Sequence, residues 1–267
     1  MPSSNSTAEM PVALAIATSD SGCGAGIQAD TLTFAAQNVF ATNIFCCLTA
    51  QNPDGVTSIE ELPTAFIEAQ WKQIRSYFHL GAIKTGMLFS TPVIEQVASI
   101  FEECPEVPKV VDPVMVAASG AVLLQDEAVE AMRTLFPLAT LITPNLDEMG
   151  VLLGRRPHNL ETMKEAGAEA ASQFGTAILV KGGHLETRVI QDVLVLPDGS
   201  FHSFEAQFNP AINTHGSGCT LASAIAAGLA KNYSLEEGVA LGHAYLQKTL
   251  AEPLLVSDER FISHGFR

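Results

Sequence analysis

The stretch PVALAIATSDSGCGAGIQAD, from Pro11 to Asp30, decides the fold class of this 267-residue chain. Its first part, Pro11–Thr18, is a short apolar run without strict alternation, which is typical of a strand buried on both faces. A glycine-rich turn follows, and a helix is predicted from about Ile27 to Asn38. A strand that leads through such a turn into a helix is a building unit of α/β proteins.

The same alternation of strand-like and helix-like segments continues along the chain. Further strands are predicted at Ala41–Ala50, Ala82–Leu88, Lys109–Met115, Leu138–Asn145 and Thr176–Gly183, and helices at Pro63–Phe78, Thr91–Glu103, Ser217–Ala230 and Leu235–Leu250. Asp198-Gly199 lies between two more runs and predicts a β-hairpin. The pattern predicts a three-layer α/β/α fold, in which a mostly parallel central sheet carries helices on both faces and a small hairpin in the C-terminal half.

Composition bounds the organisation of the chain. Apolar residues make up 47% and charged residues 16%, which supports a substantial core. Residues 1–10 show no periodic pattern and are predicted to form a disordered leader. No linker and no internal repeat interrupts the remainder, so residues 11–267 are predicted to form a single domain.

The charge balance narrows the range of partners. The formal net charge is −15, from 14 basic and 29 acidic side chains. Nucleic acid and anionic membranes both require a basic footprint, so neither is expected as a main partner. A phosphate group would have to be held locally, by backbone N–H groups, a helix N-terminus, a metal ion or a single lysine.

The chain also carries features of a cytoplasmic protein. It has no apolar run of about 18 residues and no N-terminal basic segment followed by an apolar core, so neither a spanning helix nor a secretory signal is expected. Its five cysteines form no C-x-x-C pair. An odd count without such pairs favours reduced thiols in the cytoplasm over a disulfide framework.

Polar and flexible side chains recur where the predicted strands end. In an open parallel sheet, ligands bind beyond the carboxyl ends of the strands. The residues found there are Asp20, Gln51, Met87, Asp112, Asn145 and Lys181. Their clustering predicts one ligand site along this edge.

Several common nucleotide and nucleophile motifs are excluded. The first glycine-rich loop has Ile27 where the dinucleotide fingerprint needs its third glycine, and the sequence contains no Walker A motif, no protein-kinase motifs and no G-x-S-x-G elbow. Gly24 and Gly26 are explained either by a sterically tight turn or by backbone approach to a small ligand, with Asp30 one turn into the helix.

The segment NTHGSGCT, Asn213–Thr220, runs straight into an alanine-rich helix. Gly216, Ser217 and Gly218 can point consecutive N–H groups into one concavity at the helix start, which binds anions and suits a phosphoryl group in transfer. A helix start is also expected to lower the pKa of Cys219. The alternative is that Ser217 caps the helix and Cys219 is a small core residue.

Two further segments carry candidate ligand groups. In ITPNLDE, Ile142–Glu148, Asn145 and Glu148 fit a helix capping box, and together with Asp112 they also fit a hydrated Mg²⁺ site. In VKGGH, Val180–His184, Lys181 is either solvated or bound to a nucleotide phosphate. His184 and His215 are weaker acid–base candidates.

Seven motifs together carry a resemblance to a known family. The chain resembles the hydroxymethylpyrimidine/phosphomethylpyrimidine kinases of thiamin biosynthesis, members of the ribokinase-like superfamily, in the ordered motifs SDSGCGAGIQAD, LTAQN, KTGML, DPVM, ITPNLDE, VKGGH and NTHGSGCT. The match extends from about Ala15 to Leu229. It implies a ribokinase-like fold and two ATP-dependent, Mg²⁺-dependent phosphorylations at one site, first of 4-amino-5-hydroxymethyl-2-methylpyrimidine and then of its monophosphate. It also makes a homodimer the expected assembly.

The resemblance assigns roles residue by residue. It implies that the aminopyrimidine is bound by Gln51, Asp30, Thr49, Gly24, Met87 and Val114. It implies catalytic roles for Lys181, Gly216, Ser217, Gly218 and Cys219, nucleotide contacts from Asn145, Lys181 and Thr214, and metal binding by Asp112 and Glu148. Many relatives have an aspartate base where this chain has Cys219, and Val116–Gly120 resembles the flap that closes over the pyrimidine.

Two departures and three alternatives accompany this resemblance. The family's first loop usually reads SDPSGGAG, and here Ser21, Gly22 and Cys23 replace its Pro, Ser and Gly, which predicts a looser turn; the C-terminal ending VSDERFISHGFR is also unusual. The closest alternative is a pyridoxal kinase of the same superfamily, although the flap lacks the cysteine that some of those enzymes use. The others are a thiol-dependent transferase with Cys219 as nucleophile, and a ligand-binding protein without turnover.

Overall fold

The chain folds into alternating strands and helices, as its sequence predicts. The structure is a computed structural model and describes residues 9–115, 126–183, 189–207, 209 and 211–264. The strands are β1 (Val12–Asp20), β2 (Phe40–Asn52), β3 (Gly55–Glu61), β4 (Leu80–Thr85), β5 (Lys109–Val111), β6 (Leu141–Ile142), β7 (Ala177–Val180), β8 (Val189–Val195), β9 (Phe201–Gln207), β10 (Leu254–Val256) and β11 (Glu259–Phe261). The helices are α1 (Gly26–Ala36), α2 (Thr64–Arg75), α3 (Thr91–Glu102), α4 (Asp126–Leu135), α5 (Leu146–Leu153), α6 (Leu160–Phe174), α7 (Ser217–Ala230) and α8 (Leu235–Ala251).

Nine of the strands form one sheet, in the order β3-β2-β1-β4-β5-β6-β7-β8-β9. The pairs from β2 to β7 are parallel, whereas β3 at one edge and β8 and β9 at the other pair antiparallel. The predicted mostly parallel sheet is therefore confirmed. So is the hairpin at Asp198-Gly199, because β8 and β9 flank this turn and Gly199 takes the left-handed φ of +84° that the turn requires.

Helices cover both faces of the sheet and complete the three layers. Side chains of α2 to α6 pack with Leu14 and Ile16 on one face, and those of α1, α7 and α8 pack with Ala13, Ala15 and Ala17 on the other. Successive residues of a strand point to opposite faces, so β1 is bulky on one side and small on the other. The small side lets the equally alanine-rich α7 pack close to the sheet, which brings its N-terminus beside the strand ends.

Some predicted strands end earlier in the structure. Strand β5 stops at Val111 rather than Met115, and β6 is only Leu141–Ile142 because Phe136–Leu138 forms a 3-10 turn. The residues beyond these short strands are loops, and they carry the side chains that face the ligand site. Strand β3 and the hairpin of β10 and β11 were not predicted: all three strands are largely exposed, and β10 and β11 have only three residues each.

Three sequence predictions concern residues that lie wholly or partly outside the described part of the chain. Residues 1–8 of the predicted leader lie outside the described residues, and the division into a leader and one domain stays a prediction. The flap at Val116–Gly120 and His184 also lie outside them. Among the helices that are described, none is long and apolar enough to cross a membrane.

Candidate active site

A cavity of about 320 Å³ opens at the carboxyl edge of the parallel strands. All six strand-end residues expected at one site line it, namely Asp20, Gln51, Met87, Asp112, Asn145 and Lys181. Val114, Thr214, Glu148 and the loop residues Gly216, Ser217, Gly218 and Cys219 line it as well. The sequence argument from strand ends thus located the cavity, although it could not define its depth.

The strand order arranges these side chains in a row. Gln51 belongs to β2 and Asp20 to β1, Met87 follows β4, Asp112 follows β5, Asn145 follows β6 and Lys181 follows β7. Neighbouring strands lie about 4.8 Å apart, so the row from β2 to β7 spans roughly 24 Å. A row of that length accommodates two ligands end to end, and the N-terminus of α7 lies over its middle.

Helix α7 begins with backbone N–H groups that face the cavity. Gly216 is its N-cap with a φ of +82°, and no side chain caps the helix. Ser217 N–H bonds to the Thr214 carbonyl, but within the described part of the chain the N–H groups of Gly218 and Cys219 have no acceptor. Capping by Ser217 is therefore wrong, and two free donors at a helix start form an anion site.

Gly216 is needed for this arrangement, and Gly218 lies at its centre. A Cβ atom on Gly216 would lie 1.8 Å from the Gly24 carbonyl oxygen, so the two loops touch through their backbones. A Cβ atom on Gly218 would lie 3.3 Å from Lys181 Nζ and 3.4 Å from Asp112 Oδ2. The anion site, the lysine and the aspartate are thus immediate neighbours.

Lys181 forms an ion pair with Asp112 at the centre of the row. Its Nζ donates to Asp112 Oδ1 over 2.7 Å, and Thr143 Oγ1 donates to the same oxygen over 3.0 Å. Lys181 has 14% of its side chain exposed and Asp112 only 2%, so the cation is the partner that faces the cavity. This geometry suits a lysine that binds a phosphate while the carboxylate holds it in place.

Asn145 and Glu148 form a capping box, and both also lie at the cavity. The Asn145 side chain accepts the N–H groups of Asp147 and Glu148, and Glu148 Oε2 accepts the Asn145 N–H over 2.7 Å, which is a complete capping box. Both residues nevertheless line the cavity. Burial raises the pKa of Glu148 to about 7, with Lys181 opposing and Asp112 adding to the shift.

The acidic groups fit a hydrated divalent cation better than a closed metal site. In the ranges that the structure describes, no three His, Cys, Asp or Glu side chains converge on one point. Asp112 and Glu148 are two nearly buried carboxylates beside the anion site, and Mg²⁺ is commonly held by one or two carboxylates together with phosphate oxygens and water. The donor set therefore fits Mg²⁺ that arrives with a nucleotide.

Cys219 lies on the cavity wall, where its environment opposes ionisation. Burial raises the pKa of its thiol to about 11, although the Lys84 ammonium and the Gly26 N–H act in the opposite direction. The expectation that the helix start lowers this pKa is wrong, because desolvation outweighs the helix terminus. A thiol with this pKa is almost entirely protonated at neutral pH.

The β2 end of the cavity is lined by a hydrogen-bonded polar group. Gln51 has its terminal amide 3.2 Å from His215 Nε2, and that nitrogen lies 3.1 Å from Asp20 Oδ2. The Asp20 carboxylate also accepts the N–H groups of Gly22, Gly24 and Ala25. Met87 and Val114 supply apolar surface next to this group, as the sequence predicts for a flat ring.

Three residues predicted to contact the substrate do not line the cavity. Asp30 is fully buried beneath it, where Lys84 Nζ donates to its Oδ1 over 2.6 Å and Ser223 Oγ over 2.7 Å. Its predicted direct contact is corrected, because a helical residue one turn beyond the loop points into the core. Thr49 and Gly24 instead contact residues of the lining: Thr49 Oγ1 lies 3.0 Å from the Gln51 amide, and a Cβ atom on Gly24 would lie 2.6 Å from His215 Cδ2.

The first glycine-rich loop, which lacks the family's proline, is held in place by hydrogen bonds of Ser21. Ser21 Oγ donates to the Gln51 carbonyl over 2.7 Å and accepts the Gln51 N–H over 2.8 Å. These two bonds attach the loop to the end of β2, so the predicted loosening does not occur. Cys23, with a φ of +60°, is exposed and is not part of the cavity lining.

The far end of the cavity was not foreseen from the sequence. It is lined by side chains of the β8–β9 hairpin and of α8, among them Ile190, Asp192, Gln207, Leu246 and Leu250. These residues belong to no motif and are separated by long stretches of chain. Only the antiparallel extension of the sheet and the packing of α8 on α7 bring them together.

The fold and the cavity define a small-molecule kinase of the ribokinase-like class. The chain belongs to the phosphomethylpyrimidine kinase family, whose model matches residues 20–262. It is 41% identical over 259 residues to the hydroxymethylpyrimidine/phosphomethylpyrimidine kinase of Rhizobium meliloti, a match that covers 96% of this chain and 97% of that protein.

Two solved structures are similar to this fold. The phosphomethylpyrimidine kinase of Clostridium difficile superposes with a TM-score of 0.79 at 36% identity, over 90% of this chain and 99% of that one. The ADP complex of Bacillus subtilis pyridoxal kinase superposes with a TM-score of 0.87 at 32% identity, over 96% and 98%. Backbone similarity to both kinds of kinase means that the fold alone does not choose between their substrates.

Proposed function

We propose that this chain transfers the γ-phosphoryl group of ATP to the hydroxymethyl group of 4-amino-5-hydroxymethyl-2-methylpyrimidine, and then phosphorylates the monophosphate to the diphosphate in thiamin biosynthesis. Membership of the phosphomethylpyrimidine kinase family supports the substrate class. The observation that carries the proposal is the pair of free N–H donors at Gly218 and Cys219, beside Lys181, in the middle of a two-ended cavity.

The two ends suit different ligands. The pyrimidine occupies the end lined by Gln51, Met87 and Val114, where an amide can pair with the edge of the ring and apolar side chains contact its faces. ATP occupies the other end, with its phosphates near Asn145, Thr214 and Lys181. Ile190, Leu246 and Leu250 provide the apolar wall that a purine base needs.

Catalysis at this site depends on position and charge more than on a strong base. The N–H groups of Gly218 and Cys219 and the Lys181 ammonium surround the point at which negative charge develops during phosphoryl transfer. At pH 7 a thiol with a pKa near 11 is ionised in only about one molecule in 10⁴. Cys219 therefore orients the substrate hydroxyl group, and the hydroxyl proton passes to an oxygen of the transferred phosphoryl group late in the reaction.

Asp112 and Glu148 would hold Mg²⁺ together with the nucleotide phosphates. The ion supplies electrostatic stabilisation of the transferring group when it is bound. The chain's own contribution is to present these two carboxylates in a water-poor pocket and to keep Lys181 next to Asp112.

A homodimer in the cytoplasm completes the proposal. Three apolar side chains are exposed on or beside β2 and α2. They are Leu48 of β2 (45% exposed), Phe66 of α2 (53%) and Tyr77, just after α2 (81%). Helix α2 packs on β2, and exposed apolar side chains on such neighbouring elements suit contact with a second copy. Light scattering after size exclusion tests the dimer, and a monomer at micromolar concentration would contradict it. The free thiols of all five cysteines support the compartment.

An ATP-consumption assay tests the main proposal. Turnover is expected with the hydroxymethylpyrimidine and with its monophosphate, and pyridoxal serves as the competitor because a pyridoxal kinase superposes well on this chain. A higher kcat/KM for pyridoxal would overturn the pyrimidine assignment. A thiol transferase is disfavoured, since the raised pKa of Cys219 gives a poor nucleophile at neutral pH.

A further inference from the structure

We infer that His215 fixes the orientation of the Gln51 side-chain amide and thereby decides which way round an aminopyrimidine binds, an inference that rests on the proposed function. The two terminal atoms of this amide have different neighbours. One lies 3.0 Å from Thr49 Oγ1, and the other lies 3.2 Å from His215 Nε2. Rotation of the amide by 180° exchanges its oxygen and nitrogen without moving either position, so hydrogen-bond partners must decide between the two orientations.

The Thr49 side of the amide requires a donor. Thr49 Oγ1 also lies 2.7 Å from the Ser19 carbonyl oxygen, which can only accept. A hydroxyl group has one hydrogen to donate, so Thr49 gives it to Ser19 and must accept from Gln51. The amide NH₂ group therefore faces Thr49.

The His215 side requires an acceptor, on independent grounds. His215 Nε2 lies 3.1 Å from Asp20 Oδ2. Burial acts to raise the pKa of Asp20, but His215 and the N–H groups of Gly22 and Ala25 outweigh it, and the net pKa is lowered. An ionised carboxylate only accepts, so Nε2 carries the hydrogen. The amide atom beside it must then be the Gln51 oxygen.

The Thr49 side and the His215 side thus require the same amide orientation. It is the reverse of the one in the structure, where the amide nitrogen lies beside His215. In that arrangement the Gln51 NH₂ group and the His215 N–H, both donors, would face each other. The single Thr49 hydroxyl hydrogen would also have to bond both the Ser19 carbonyl and the Gln51 oxygen. The exchanged orientation removes the donor–donor contact and satisfies Thr49, and it leaves one shared hydrogen, that of His215 Nε2 between the Asp20 and Gln51 oxygens. His215 is the fixed reference, because its ring is held by Asp20 and packed against Gly24.

The orientation has a direct consequence for the substrate. With both flanks occupied, the amide keeps one oxygen lone pair and one N–H side by side for a ligand. These match the amino group and the adjacent ring nitrogen of a 4-aminopyrimidine, with the amino group on the His215 side. The hydroxymethyl group is attached to the ring carbon next to the one that carries the amino group. It therefore lies beyond the amino group on the His215 side, towards Gly216–Cys219. The opposite amide orientation would turn the hydroxyl group away from the phosphoryl site.

Calorimetric binding without nucleotide tests this role. The two ligands are 4-amino-5-hydroxymethyl-2-methylpyrimidine and its 4-oxo analogue, whose edge exchanges donor and acceptor. The wild-type chain is expected to prefer the amino compound by about 30-fold or more, as mismatched polar edges usually cost this much. In His215→Leu only Thr49 still favours one amide orientation, so the preference is expected to fall below about 5-fold, and kcat for the amino compound to fall more than KM rises.

Two further variants guard against simple misfolding. His215→Gln keeps an N–H donor at a similar reach and is expected to recover most of the preference, whereas Thr49→Val removes the opposite flank and is expected to lower it. A wild-type preference retained in folded His215→Leu would overturn the inference. A wild-type preference for the 4-oxo analogue would overturn the inferred orientation but not pyrimidine binding. Failure of the wild type to bind either pyrimidine would overturn the proposed function, and the inference with it.

Discussion

Lys84 and Asp30 form a fully buried ion pair directly beneath the candidate active site. Their Nζ and Oδ1 atoms lie 2.6 Å apart, and neither side chain is exposed. Burial disfavours the Lys84 ammonium, but the Asp30 carboxylate outweighs it and raises the pKa of the lysine. Among the described residues, the second carboxylate oxygen of Asp30 has no hydrogen-bond partner. The pair therefore connects β4 to α1 and supports the floor of the cavity without touching a ligand.

Removal of the lysine alone is expected to be costly. Lys84→Met leaves the Asp30 charge buried without a partner, which should lower the free energy of unfolding by about 3–5 kcal/mol in denaturant titration. Lys84→Met with Asp30→Leu replaces the whole pair by apolar groups and should recover most of the loss. If that double variant is stable yet shows a tenfold higher KM for the pyrimidine, Asp30 contacts the substrate after all.

A side chain at Gly216 is expected to lower kcat strongly. In Gly216→Ala the new Cβ atom meets the Gly24 carbonyl oxygen at 1.8 Å, so the start of α7 must shift. Loss of aligned oxyanion donors typically costs about 10²–10³ in kcat. Gly199→Ala is the matched control, since Gly199 has a similar φ of +84° but open space around it. Equal effects of the two variants on kcat would show that backbone strain alone, and not the loop contact, is responsible.

Alkylation by iodoacetamide is expected to be slow at Cys219. With its pKa raised from 9.0 to about 11, its thiolate fraction at pH 8 is about 100-fold below that of an unperturbed thiol. Peptide mass spectrometry should show the exposed Cys23 modified first, and the rate at Cys219 should still increase between pH 8 and pH 10. A rate at Cys219 that levels off by pH 8 would contradict the raised pKa and restore the thiolate as a base.

Glu148 is expected to make the free protein less stable as the pH rises. Its pKa of about 7 in the folded chain lies above the value of 4.5 for an ordinary glutamate. The stabilisation from its protonated form is present below pH 4.5 and is lost as the pH rises to about 7, which amounts to at most about 3 kcal/mol. Glu148→Gln should lack this pH dependence in unfolding titrations at pH 5 and pH 8. Glu95→Gln, at an exposed position on α3, is the control and should follow the wild type.

The row of strand-end residues from Gln51 to Lys181 was predictable from the sequence, because a parallel sheet places successive strand ends side by side whatever conformation the loops adopt. It misassigned Asp30 because its partner, Lys84, is 54 residues away and lies inside an apolar strand. The pKa of Cys219 was misjudged for a related reason: the helix start is visible in the sequence, whereas burial depends on packing. The lining residues of β8, β9 and α8 belong to no sequence motif, so nothing in the sequence pointed to them.

The C-terminal segment, the second departure from the family pattern, reaches back to the active site. His264 is buried, its Nδ1 lies 2.9 Å from Thr220 Oγ1, and the Gly24 backbone is close enough to act on its pKa. Thr220 follows Cys219 on α7, and the Gly24 carbonyl is the atom against which Gly216 packs. The segment is held in turn by β11, since Asn213 N–H donates to the Arg260 carbonyl over 2.8 Å.

His264 is therefore expected to position the start of α7. His264→Ala removes the Thr220 contact from a buried site, which should lower stability by about 1–3 kcal/mol and kcat by about tenfold, with a smaller change in KM because the Gln51 end is untouched. His264→Asn keeps an acceptor and a donor on a shorter side chain and should recover part of kcat. Thr220→Val removes only the helix-side contact and should reproduce part of the kcat loss. If His264→Ala loses stability while kcat stays at the wild-type value, the histidine holds the C-terminal segment in place but does not position the catalytic helix.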